Sequence, residues 1–448
     1  MNFNSRFQSI KRILLITGYI FIIVPATAQK EYDFLGKGAR AAGMAYAFSA
    51  IADDATAISW NPAGIVQIKK PEIAFSNSIT FTDNRNTLWS DLNYQPGYVI
   101  DYAGIVYPFK WKKKDLAFGI SFQNEMNYKY NYSNDKNIII NQKSNHKGKN
   151  NVTVNSVSLC GAFSITRFLS FGFSFNQWFS LGNKANSYSS YNTKLFDSLN
   201  YEYEKSVYTT TENFNFHRCN YSGGVLLDFA PYNFPLRVAL KLDSKFALCN
   251  DYEVSHQSDY IYNNNVDTTW LDALKGTEKY FFPVITSIGL SYRFNDYLTI
   301  ACDYDIRPFK ENVYTWEFNE SFSYSASDRE TYLWEIDTIY AFNLLKANEN
   351  LNQFRIGVEY ILHPKFALIP VRAGLKNNPT SINSYNESKL TEKQVFAHSI
   401  NVGCGVVTRR FSIDLAYELY KYDRIDADLY RDIQLYHFLV LSAILFLN

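Results

Sequence analysis

ITSIGLSYRFNDYLTIACDYDI, residues 285–306, alternates apolar and polar side chains with a period of two, as a strand does when its faces meet different environments. Ile288, Leu290, Tyr292 and Phe294 point one way, and Ser287, Gly289, Ser291 and Arg293 point the other. After a turn at Asn295-Asp296, Leu298, Ile300, Cys302, Tyr304 and Ile306 take over the apolar face, with Asp303 and Asp305 opposite. This is a hairpin with one apolar and one wet side. The pattern recurs in residues 352–375, turning at His363-Pro364, and in residues 398–420, turning near Arg409.

Extended along the chain, it predicts strands at 72–82, 100–109, 114–126, 152–165, 168–180, 213–230, 235–248, 281–294, 297–308, 352–361, 365–375, 396–407, 411–421 and 432–446. The connections alternate strictly. Long ones, 83–99, 127–151, 181–212, 249–280, 309–351, 376–395 and 422–431, are rich in Asn, Ser, Tyr and Lys. Short ones fall at 110–113, 166–167, 231–234, 295–296, 362–364 and 408–410. Tight turns at one end and long loops at the other are how outer-membrane barrels are built, whereas a β-sandwich has no reason to sort its loops by parity. The expected fold is therefore all-β: a transmembrane antiparallel barrel of about 14 strands over residues 72–448, closed because lipid leaves no backbone group unpaired.

Composition agrees. The chain carries 35 Tyr, 35 Phe and 7 Trp, enough for two interfacial girdles, and its net charge of +1 without a basic run argues against a nucleic-acid partner. Lys11 and Arg12, an apolar run from Ile13 to Val24 and Pro25-Ala26-Thr27-Ala28 read as a signal peptide, so residues 1–28 are expected to be removed after Sec-dependent export. Five scattered cysteines form no disulfide framework, although Cys219 and Cys249 come near each other if their strands pair.

Residues 29–71 lack the alternation and are rich in Gly and Ala, which suits short helices filling a lumen. Within them, DDATAISWNPAG (53–64) predicts a helical turn capped by Asp53 on Ala55 or Thr56, with Asp54 beside it, and then a stiff bend through Asn61, Pro62, Ala63 and Gly64. The stretch from 34 to 64 resembles the N-terminal hatch of the FadL-type outer-membrane transporters of long-chain fatty acids and aromatic hydrocarbons. The resemblance rests on Gly38-Ala39-Arg40-Ala41-Ala42-Gly43-Met44, Ala52-Asp53-Asp54-Ala55 and Asn61-Pro62-Ala63-Gly64. It implies a fourteen-stranded barrel plugged by a hatch, with the Asn-Pro-Ala turn forming part of a gate and hydrophobic substrates leaving sideways through the wall. Two features depart from the family pattern: Ala45 and Tyr46 stand where small residues are usual, and the chain ends Leu445-Phe446-Leu447-Asn448 without a terminal aromatic.

The functional expectation is passive uptake of hydrophobic compounds such as fatty acids by a barrel that sits among outer-membrane lipids and is inserted by the barrel assembly machinery. Arg293, Arg355 and Arg372 on the wet faces are candidates for meeting a substrate carboxylate; alternatively they pair with Asp303, Asp305, Glu359, Asp414 or Glu418 in a structural network. The six histidines show no HExxH spacing and no GxSxG motif accompanies them, so no enzyme, metal site or cofactor is expected. A second reading is a barrel that acts as partner or shuttle for secretion-system proteins; a general diffusion porin is disfavoured because a plug would obstruct it.

Overall fold

A computed structural model describes residues 36–86, 93–94, 96–112, 114–139, 142–193, 204–262, 265–310, 313–326, 329–345, 349–386, 391–425 and 431–447; the expected signal peptide lies outside them. Fourteen antiparallel staves close into a barrel, several built from two strands in line. Stave one is β1 (Glu72–Asn86), two is β2 (Asn93–Tyr94) with β3 (Gly97–Trp111), and three is β4 (Lys114–Asn127) with β5 (Tyr130–Ile139). Stave four is β6 (Gln142–Asn150) with β7 (Thr153–Ser164), five is β8 (Leu169–Leu181) with β9 (Lys184–Thr193), and six is β10 (Glu204–Asp228). Stave seven joins β11 (Leu236–Asp243) and β12 (Phe246–Tyr262), and eight joins β13 (Asn265–Phe282) and β14 (Ile285–Arg293). Stave nine joins β15 (Leu298–Ile306) and β16 (Val313–Ala326), and ten joins β17 (Arg329–Leu345) and β18 (Gln353–Leu362). The last four are β19 (Ile369–Asn386), β20 (Thr391–Val407), β21 (Phe411–Ile425) and β22 (Arg431–Phe446). The barrel closes where β1 pairs with β22, from Glu72 opposite Phe446 to Asn86 opposite Asp432.

The alternation has the predicted sense. Ile288, Leu290, Phe294, Tyr304 and Ile306 are exposed on the outer surface, whereas Ser287, Ser291, Asp303 and Asp305 are buried within. Exposed Trp111, Tyr232, Phe234, Phe294, Tyr297 and Phe366 cluster beside the tight turns, where an aromatic girdle belongs.

The long connections are a correction. Much of what reads as loop continues the ladders: β10 runs 25 residues, pairing with β8 and β9 on one side and β11 and β12 on the other. At about 3.3 Å per residue and about 40° of tilt, such a stave rises roughly 60 Å, more than twice the apolar band of about 25 Å. The wall therefore continues well past the membrane. Cys219 and Cys249 lie on adjacent staves, with His217 opposite Cys249, and both are free thiols.

Residues 36–71 fill the lumen. Two short helices, α1 (Ala39–Gly43) and α2 (Ala57–Trp60), and a 3-10 turn over Pro62–Gln67 are buried among Ala41, Met44, Phe48, Ile58 and Ile65. Higher in the lumen a second cluster, Trp178, Phe216, Leu248, Phe282, Phe309 and Leu351, closes over it.

Candidate functional site: the lumenal segment and the cavity above it

The Asn61–Gly64 bend forms as expected. Asn61 is extended, its Oδ1 accepts from the Ala63 N–H at 3.1 Å, and the Gly64 N–H donates to the Asn61 carbonyl at 2.8 Å. The bend is also fastened to the wall, because Asn61 Nδ2 donates to the Val225 carbonyl at 3.1 Å. Gly172 and Gly224 make room for it: a Cβ on either would collide with Asn61, Pro62 or Ala63. Gly357 and Gly374 do the same for Met44. The barrel is thus cut to the shape of its plug.

The cap differs by one residue from expectation. Asp54, not Asp53, holds the turn, its Oδ1 accepting from the Thr56 N–H at 2.9 Å and the Thr56 hydroxyl at 2.5 Å. Asp53 instead pairs with Arg40 at 2.6 Å and approaches Arg237 at 3.8 Å. Burial pushes the Asp54 carboxyl up, against the pull of Arg40. Gly38 has φ 86°, and Gly43 packs against Gly403, where a Cβ would stand 3.1 Å from the facing backbone. Ala45 and Tyr46, the departures from the family pattern, both adopt left-handed backbone, at φ 50° and 63°. Tyr46 thereby stacks on Trp60 at 5.7 Å and lies beneath Lys376, whose ammonium is 4.3 Å from its ring.

Of the three candidate arginines, Arg355 and Arg372 are buried in the lumen and Arg293 is not. Arg372 donates to Glu359 at 2.7 Å and to Asp414 at 2.6 Å, and Arg40 adds a second cation on Glu359 at 3.2 Å. Arg355 pairs with Asp305 at 2.5 Å and Asp303 at 3.8 Å. Asp303 in turn accepts from the Phe48 and Ser49 N–H groups, which ties the plug to stave nine. Arg293 shares the inward parity but sits at the turn, half exposed, against Asp296 at 3.4 Å. Ladder parity places a residue on a face; only its distance from the turn decides whether that face is lumen or solvent.

Above the plug lies a cavity of about 150 Å³, whose lining includes Lys37, Trp60, Trp178, Lys241, Arg307 and Arg355. It extends from Gln123 and Glu125 on stave three to Pro283 and Ile285 on stave eight. Sequence reasoning missed Lys37 and Lys241. Burial pulls the Lys37 ammonium down from its usual value, in opposition to Glu125 at 3.7 Å. Its Nζ also donates to the Asn124 carbonyl. That carbonyl borders a split, because the ladder between β3 and β4 stops at Tyr102 opposite Gln123. Above that point Gly97–Ile100 pairs with β1 and Asn124–Asn127 with β7, without bonds to each other among the described residues. Asp101 Oδ2 and Asn124 Oδ1 are buried there without partners.

A closed barrel with an apolar outer band, a fixed internal plug and a charged cavity defines a membrane channel. Residues 34–423 match the family described as outer membrane protein transport protein (OMPP1/FadL/TodX), and the chain belongs to that family, whose members are transport channels of the outer membrane and not enzymes. Among solved structures, it is similar to the toluene transporter TbuX of Ralstonia pickettii, with 14% identity and TM-score 0.56 over 93% of this chain and 100% of that one. A FadL homologue of Pseudomonas aeruginosa shares 12% identity, TM-score 0.58, over 92% and 98%. The toluene transporter TodX of Pseudomonas putida shares 11%, TM-score 0.51, over 87% and 92%. At these identities the likeness establishes the fold. No curated protein matches the chain.

Proposed function

We propose that the protein carries hydrophobic compounds with an acidic head, long-chain fatty acids or similar molecules, passively across the outer membrane after signal-peptide cleavage. The observation that supports this reading is the lining of the cavity above the plug. Lys37, Lys241, Arg307, Arg355 and Lys376 line it with the carboxylates of Glu125, Asp243 and Asp305, an excess of two positive charges, together with Trp60, Trp178 and Phe246. A neutral hydrocarbon there would cover polar groups without replacing their hydrogen bonds, at about 1–3 kcal/mol for each. A carboxylate answers the excess positive charge, while an alkyl chain gains roughly 0.8 kcal/mol for each methylene it buries against the aromatic rings.

In this reading, residues 29–71 are the hatch, with Gly38, Gly43, Asp53, Asp54, Asn61, Pro62, Ala63 and Gly64 as its gate elements. The Asn61–Gly64 bend, held between Gly172 and Gly224, acts as the pivot. Lys37 is the latch, because its bond to Asn124 fastens the plug to the stave-three edge of the split between staves two and three. Releasing that latch opens a lateral exit at the split. The test is uptake of a radiolabelled long-chain fatty acid by cells carrying the wild type or a variant with Asn61, Pro62 and Ala63 replaced by glycine, with a small aromatic hydrocarbon in parallel. Fatty-acid uptake that depends on the protein and changes in the variant supports the channel. Failure of both compounds with a correctly inserted barrel would favour a partner role in protein secretion.

A further inference from the structure

Charge on the tight turns is lopsided. Lys110, Lys112 and Lys114 stand exposed where β3 turns into β4; Lys69 and Lys70 precede β1 on one side, and Arg167 lies in the β7–β8 turn on the other. Short contacts tie these segments into one surface: Asp115 lies 3.7 Å from both Lys69 and Lys110, and Lys114 Nζ donates to the Ile165 carbonyl. Asp115 is the one carboxylate at this surface among the described residues, since Glu72 is buried and accepts from the Ala55 N–H. Six cations against one acid leave an excess of five positive charges. Arg409 and Arg410 continue the arc beyond β1, where the Phe446 N–H donates to the Arg410 carbonyl and the Leu447 N–H to the Pro71 carbonyl. Two turns across the barrel neutralise themselves instead, Asp228 pairing with Arg237 at 3.0 Å and Asp296 with Arg293 at 3.4 Å.

Just above these cations the outer surface is apolar. Trp111, exposed, stands opposite Lys114 at the end of the β3–β4 ladder, and the Lys112 ammonium lies 5.0 Å from its ring. Phe118 on stave three and Phe163 on stave four, both exposed, continue the strip upward, and Phe109 stacks on Phe118 at 5.5 Å. Cations below a tryptophan, with apolar side chains above, repeat the layering of a phospholipid, charged head beneath acyl chain. The apolar band of a membrane barrel is covered by lipid, so an anion that meets these cations at its edge arrives attached to acyl chains.

We propose that this arc is a seat for an anionic phospholipid of the leaflet at the tight-turn end. Lys112, Lys114 and Arg167 hold its phosphate, and its acyl chains lie on Phe118 and Phe163. The seat is independent of the cavity and of the transport reading. It stands at the foot of staves two and three, the pair that part at the split higher up. A headgroup held there fixes how deep that pair sits in the membrane.

The test is native mass spectrometry of the full chain, delipidated in detergent and offered equal amounts of phosphatidylglycerol and phosphatidylcholine with the same acyl chains. The expected result is a several-fold preference for phosphatidylglycerol that is lost in Lys112→Gln/Lys114→Gln and kept in Lys112→Arg/Lys114→Arg. Arg293→Gln/Lys365→Gln removes the same charge from turns across the barrel and should leave the preference unchanged. Heat-modifiable migration on a gel checks that each variant is a folded barrel, and the arginine pair guards against a loss caused by misfolding. No preference in the wild type, or an equal loss in both glutamine pairs, would overturn the seat. So would soluble polyglutamate that binds the wild type, fails to bind Lys112→Gln/Lys114→Gln and is not displaced by phosphatidylglycerol vesicles, because the arc would then face an acidic protein.

Discussion

Buried charge in this lumen is arranged so that single residues bind plug and wall together. Arg372 neutralises Asp414 and shares Glu359 with Arg40 inside the barrel, so Arg372→Met strands the buried Asp414 carboxylate and should destabilise the protein by about 3–5 kcal/mol. Arg293→Met, at an exposed pair, should change stability by less than about 1 kcal/mol. Denaturant unfolding in detergent compares the two, and equal effects would contradict the assignment of Arg293 to the rim. Asp54 gives a pH dependence whose sign is fixed. Its folded-state pKa lies above the ordinary carboxylate value because burial outweighs Arg40. The stability it contributes is therefore fully present below that ordinary value and lost as pH rises through the raised one. Docking of the lumenal segment, read by Trp60 fluorescence, should tighten as pH falls toward the ordinary carboxylate range, and Asp54→Asn should flatten the trend. Arg355 and Arg372 were legible in the sequence because alternation with Phe354, Ile356 and Val371 fixes their face. The cap at Asp54 was not, since two adjacent aspartates present the same short side chain and only the position of Arg40 separates their roles.

At the level of elements, the bend at Asn61–Gly64 was readable because asparagine, proline and glycine restrict the backbone locally. Its receptors were not. Gly172 and Gly224 read as ordinary strand glycines until the turn is seen against them. Gly224→Val should push the bend off the wall at an overpacking cost of about 1–3 kcal/mol. Faster leakage of a small polar solute through reconstituted protein would report it, and unchanged leakage would mean that the bend does not seal the lumen. The strand ends were misread for a physical reason. Above the membrane both faces of a stave meet water or polar neighbours, so the apolar alternation fades although the ladder continues; Thr209, Thr210 and Thr211 of β10 are an example. Amide exchange should find Val207–Glu212 protected as in the membrane band, despite a sequence that reads as loop.

For the whole molecule, the parity of the connections was enough to count fourteen staves, because tight turns and apolar faces are local signals. The cavity and the split in the wall were invisible, since the cavity gathers residues from Lys37 to Lys376 and the split depends on which ladder bonds are missing between Gly97–Ile100 and Asn124–Asn127. In the proposed route a substrate crosses the charged cavity above the plug. The most direct test is photo-crosslinking of the reconstituted protein with a diazirine-bearing long-chain fatty acid, with the labelled peptides identified by mass. Label concentrated on Lys37–Trp60 and Lys241–Phe246, displaced by excess fatty acid and not by toluene, is the predicted result. Label confined to the lipid-facing band, or displaced equally by toluene, would contradict the account.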